Sequence, residues 1–93
     1  MEGIRTLLRD ALPQALRRLR EEDRLEAAWV LVCGPTMAKH SRVADYHDGV
    51  VRIEVRDRAW LEQMGSMSTQ LQRDLGRISG VMVNTLHFVV EKD

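Results

Sequence analysis

The stretch Asp48-Gly49-Val50-Val51-Arg52-Ile53-Glu54-Val55 decides the fold. Asp-Gly is a strong signal for a type I′ turn, whose two central residues both need positive φ and whose twist matches that of paired strands. Val51, Ile53 and Val55 then alternate with Arg52, Glu54 and Arg56. Side chains two apart share one face of a strand, so Val50 to Arg56 reads as a half-buried strand. A strand leaving a tight turn needs an antiparallel partner before it, and Val43-Ala44-Asp45-Tyr46-His47 is the candidate.

Downstream of the hairpin, Asp57 has the chemistry of a helix N-cap. Trp60, Met64, Met67, Leu71, Leu75 and Ile78 follow at helical spacing and predict one long helix, with Gly65 inside it and Gly76 or Gly80 ending it. Val81 to Val90 is rich in β-branched residues and reads as a last strand. A helical crossover between strands of one sheet makes them parallel.

Upstream, Leu25, Ala28, Trp29, Val32 and Cys33 form an apolar stripe behind Glu21-Glu22-Asp23. Acids suit a helix N-terminus, and Asp23 offers a cap. Gly34-Pro35 stops this helix, and Pro35 suits the first position of a further short turn to His40. Gly3 to Arg20 reads as an earlier helix, its apolar half formed by Ile4, Leu7, Leu8, Leu12, Leu16 and Leu19. Pro13 kinks or breaks it near Leu12. The expected order is ααββαβ: a two-layer α+β domain with a three-stranded mixed sheet covered by helices.

With 93 residues, 44% hydrophobic and 30% charged, the chain has the composition of one globular domain, 1–93, with its core at about 4–90. Its longest apolar run, Ala27 to Cys33, is far too short to span a bilayer, and Met1-Glu2-Gly3-Ile4-Arg5 does not open a signal peptide. A lone cysteine, Cys33, forms neither an internal disulfide nor a zinc site. The cytoplasm is the expected compartment. Fourteen Lys+Arg balance fourteen Asp+Glu, so phosphate binding requires that the arginines be segregated onto one face.

Enzymatic constellations are weak, and neither a catalytic set, a metal site nor a cofactor is expected. His40 and His47 flank a strand near Asp45 and Asp48 without a metal-ligand spacing. That neighbourhood is the one place for an unrecognised hydrolase; exposed side chains decorating a hairpin is the simpler reading. Cys33 lies in an apolar helix end, where burial raises a thiol pKa and blunts a nucleophile. Electrostatic candidates remain. Arg17, Arg20 and Arg24 align on one helical stripe with Arg9 across the kink, and Arg52 and Arg56 lie on the open face of the hairpin with Lys39 and Arg42 at its entrance.

Four motifs together resemble a known family. Trp29-Val30-Leu31-Val32-Cys33-Gly34 followed by Ala38-Lys39-His40-Ser41 resembles the W-x-x-V-V-G-x-x-x-A-x-H-[ST] stretch of the DciA-like family. Asp48 to Val55 resembles its D-G-x-L-x-V-x-V hairpin, and Arg58-Ala59-Trp60-Leu61-Glu62-Gln63-Met64 its S-x-x-W-x-x-E-L helix opening. The terminal Gly-x-x-x-V strand is similar too. The likeness spans about Leu25 to Phe88. It implies a KH-like fold and a bacterial, non-enzymatic module that binds the replicative helicase and assists its loading. It further implies single- or double-stranded DNA as a second partner. Trp29, Gly34, Asp48, Gly49 and Trp60 match motif positions and are expected to be structural. Many family loaders carry a basic extension, whereas this chain is electroneutral, and the G-x-x-G loop of nucleic-acid KH domains is missing. The alternatives are a structural module that self-associates through a sheet edge without nucleic acid, and an RNA-binding KH-like protein.

Overall fold

The computed structural model describes residues 20–92. Helix α1 (Glu21–Lys39) leads into β1 (Ser41–His47), β2 (Val50–Val55), α2 (Arg58–Gly65), α3 (Ser68–Ser79) and β3 (Thr85–Val90). The architecture is α+β, order αββααβ over these residues. The sequence-predicted helix Gly3 to Arg20 lies outside the described residues.

The hairpin forms as its turn chemistry dictates. Asp48 and Gly49 both have positive φ, 47° and 81°, and His47 faces Val50 across the turn. Strand β1 runs antiparallel to β2, with a register shift between Val43 and Asp45, while β3 runs parallel to β2 in the order β1-β2-β3. Val51 pairs with Leu86 and Ile53 with Phe88, so these rows share the helix-covered face. Leu25, Ala28, Trp29, Val51, Ile53, Val55, Met64, Leu71 and Leu75 fill the core between sheet and helices.

Several local expectations need correction. The long helix is two: α2 ends at Gly65 and α3 starts at Ser68. Ser66 stays right-handed (φ −68°, ψ −17°) and Met67 sits at φ −106°, ψ 10°, so the chain bends without a positive φ. Met64, Met67 and Leu71 keep their apolar phase across the bend, which hides it from a periodicity reading. Strand β1 starts earlier than expected, at Ser41. Strand β3 starts later, at Thr85, because residues 81–84 form a connection held from outside: Tyr46 Oη donates to Met82 O (2.8 Å) and Asn84 N to Gly49 O (2.7 Å).

The stops behave as read. Gly34 takes φ 80°, ψ 168° inside α1, and Pro35 restarts the helix up to Lys39. Asp57 caps α2, its carboxylate accepting from Trp60 N at 3.0 Å. Asp23, in contrast, caps nothing: the N-cap of α1 is Arg20, whose Nε donates to Asp23 Oδ2 at 3.4 Å. The three acids of the first turn act on α1 through the helix dipole instead.

Candidate nucleic-acid interface

Two linked contacts close the end of the sheet where β1 begins. Trp29, 2% exposed, points its Nε1 to Ser41 Oγ at 2.9 Å, and Ser41 Oγ donates onward to Met37 O at 2.7 Å. The indole nitrogen is thereby satisfied inside the fold, as a buried donor must be. The ring of His40 stacks on Trp60, centroids 4.8 Å apart and planes 16° from parallel. Trp60 is half-buried and packs against the core, whereas Trp29 lies within it.

The same end gathers three chain segments. Ser41 and Val55 are register partners, as are Val55 and Val90. Beyond them, Arg56 N donates to His40 O (2.8 Å) and Glu91 N to Val55 O (2.7 Å). Residues 39–40, 56–58 and 91–92 therefore form one rim. It carries Lys39, Arg56, Arg58 and Lys92, all exposed, against the carboxylates of Asp57 and Glu91.

Elsewhere among the described residues most cations are occupied. Arg24 donates Nε and Nη2 to Ser79 O (3.2 and 3.0 Å), satisfying a carbonyl in the last turn of α3. Arg42 pairs with Glu54 at 2.6 Å. Arg52 pairs with Asp45 at 2.7 Å and lies 3.7 Å from Glu54. Its hydrogen bond to Asp45, reinforced by that charge, raises the guanidinium pKa. The open sheet face is thus a charge-compensated ladder. Arg20 meets Asp23 and Arg77 meets Asp74. Among the described residues, Lys39, Arg56, Arg58, Arg73 and Lys92 have no ion-pair partner, and four of these five sit on the rim.

The sequence candidates are therefore dispersed. Lys39 and Arg56 come together; Arg42 and Arg52 are neutralised on the open face; Arg24 is turned into the fold; Arg20 is exposed at the N-terminus of α1. Arg9 and Arg17 lie outside the described residues. Sequence reasoning missed Arg58 and Lys92, whose positions flanking the ends of β2 and β3 were the available signal. The hydrolase neighbourhood is not assembled: His40 and His47 stand at opposite ends of β1, roughly 20 Å apart at ~3.3 Å per residue. His47 Nε2 lies 3.3 Å from Asp48, while His40 faces Trp60. Cys33 donates to Trp29 O at 3.0 Å, and burial pushes its thiol up to about 11. Nor is there a backbone clamp at the helix–helix turn Gly65-Ser66-Met67-Ser68, since the amides of Ser66 and Met67 already donate to Glu62 O and Met64 O.

The family model described as Dna[CI] antecedent, DciA, matches residues 3–88. The chain belongs to the DciA family. DciA proteins are a non-catalytic family of helicase loaders in replication initiation, whose partner is the replicative helicase DnaB. No curated protein matches the chain. The stretches that resemble DciA motifs coincide with the contacts that close the fold: Trp29 with Ser41, His40 with Trp60, the turn at Asp48 and Gly49, and the stop at Gly34. The rim cations come from the segments between them.

Proposed function

We propose that the chain is a non-enzymatic adaptor of replication initiation that docks on the replicative helicase and holds nucleic acid as a second ligand. Its setting is the cytoplasm, and no helix among the described residues is long and apolar enough to cross a membrane. The observation that carries the nucleic-acid half is the gathering of partnerless cations on one rim of a neutral molecule. Of the residues named from the sequence, Lys39 and Arg56 make the contact, and Arg20 remains an exposed flank. Arg24, Arg42 and Arg52 already serve partners inside the fold. The rival reading, edge-to-edge self-association, is disfavoured at the β1 edge by the irregular register at Val43/Asp45 and by the charge at Arg42, both devices that blunt a strand edge.

The test is capture of the purified replicative helicase of the same bacterium by the immobilised chain at low salt. Stoichiometric retention supports the adaptor role. Failure of the helicase to bind under those conditions overturns it.

A further inference from the structure

We infer that β3 is a docking edge for a second copy of this chain, the two β3 strands pairing antiparallel about a twofold axis at Phe88. The order β1-β2-β3 gives β3 a neighbour on one side only. Along a strand, the backbone N–H and C=O of one residue point to one side and those of the next residue to the other. Thr85 N donates to Gly49 O at 3.2 Å and Glu91 N to Val55 O at 2.7 Å, so the odd-numbered residues of β3 serve β2. The backbone groups of Leu86, Phe88 and Val90 therefore point out of the sheet edge, and among the described residues nothing bonds them.

Free strand edges are normally blunted by charge, proline or a bulge. Strand β1 has the register shift and Arg42. Strand β3 has none of these devices: Thr-Leu-His-Phe-Val-Val contains no Lys, Arg, Asp, Glu or Pro, and its register with β2 is unbroken from Thr85 to Val90. Its outward residues are centred on Phe88. An antiparallel copy therefore pairs Phe88 with itself and Leu86 with Val90, each pair exchanging both hydrogen bonds. The symmetry closes at two chains, because the free edges of the joined sheet are then the two blunted β1 strands. Side chains match as well. Val90, 38% exposed on the helix-covered side, meets Leu86 of the second copy, and on the open face His87 meets Val89. Antiparallel pairing sends the two cationic rims to opposite ends of the joint sheet, whereas parallel pairing would set them side by side. The seam is one short strand long, so the dimer is a transient one.

The experiment is sedimentation equilibrium of the full chain from about 10 μM to about 1 mM, the range of weak association. The average mass should climb from 10.7 kDa toward twice that value. Val90→Pro deletes an N–H that has no partner among the described residues of the single chain, and an edge strand tolerates proline there, so this variant should stay at the monomer mass. His87→Lys places two lysines on diagonal positions across the seam and should weaken association about tenfold or more. His87 is exposed, so His87→Lys should unfold at the temperature of the parent chain and carries the test even where Val90→Pro unfolds the protein. His47→Lys, the same change on β1, should leave the association as it was. The amides of Leu86, Phe88 and Val90 should gain protection from hydrogen exchange only at the high-concentration end. A mass fixed at 10.7 kDa throughout, an association that His87→Lys leaves intact, or one that His47→Lys weakens equally overturns the inference. Helicase capture tests the adaptor reading separately, and none of these outcomes bears on it.

Discussion

Replacing Gly49 by alanine tests how the hairpin is built. Gly49 has φ 81°, and its carbonyl accepts from both Asn84 N (2.7 Å) and Thr85 N (3.2 Å), so this residue sets the start of β3 as well as the turn. An L side chain in the left-handed region costs roughly 1–2 kcal/mol. The new Cβ would also come within 2.9 Å of Asn84 Cγ and 3.3 Å of its Cβ. Asn84 is exposed and can rotate away, but its backbone is pinned by Gly49 O, so relief requires a less favourable χ1 at about 0.5–1.5 kcal/mol. The sum is about 1.5–3.5 kcal/mol, which for a domain of this size lowers Tm by roughly 6–28 °C. Thermal unfolding by circular dichroism measures it. The background Asn84→Ala removes the clash with the amide end of the side chain and leaves only the 3.3 Å approach to Cβ, so there Gly49→Ala should cost little beyond the conformational ~1–2 kcal/mol. A loss below about 0.5 kcal/mol in the parent, or the same loss in both backgrounds, would refute the reasoning.

Three further outcomes follow from the packing. Ser41→Ala leaves the buried Trp29 Nε1 without its acceptor and should cost about 1–3 kcal/mol in urea unfolding; a neutral result would mean that water replaces the hydroxyl. Arg24→Met keeps the apolar stem but removes both hydrogen bonds to Ser79 O, and a loss of about 1–2 kcal/mol is expected by the same measurement. For Cys33, whose thiol rises from 9.0 to about 11 on folding, the protonated form is the one the fold prefers. Its contribution is complete below the unfolded value and is lost as pH climbs from about 9 to about 11, so Cys33→Ala should flatten the alkaline arm of the stability profile. Labelling of the native thiol near neutral pH should be slow compared with the unfolded chain.

How much of this was legible beforehand depended on whether a signal was local. The Asp48-Gly49 turn, the alternation of β2, the Gly34-Pro35 stop and the Asp57 cap each rest on the backbone demands of one or two residues, and each formed where the sequence placed it. The bend at Ser66 and Met67 left no mark, because it needs no positive φ and keeps the apolar phase of Met64, Met67 and Leu71. Arg24 was aligned with Arg20 by helical spacing, yet its guanidinium reaches a carbonyl 55 residues away. No periodicity encodes such a contact.

Charge obeys the same division, and this is why the candidate site had to wait for the fold. Composition counts fourteen cations against fourteen anions and reports zero. Pairing decides which of those cations still present charge to a ligand, and the decisive pairs, Arg42 with Glu54 and Arg52 with Asp45, form only once β1 and β2 lie in register. The hairpin that fixes the fold therefore also silences the arginines on its open face. Among the described residues, unpaired positive charge collects mainly where the strands run out and a cation has no opposite residue to meet: Lys39 before β1, Arg56 and Arg58 after β2, Lys92 after β3, with Arg73 on α3 as the exception. Electroneutrality of the chain and a basic rim are compatible because strand pairing consumes charge along the strands and spares it at their ends.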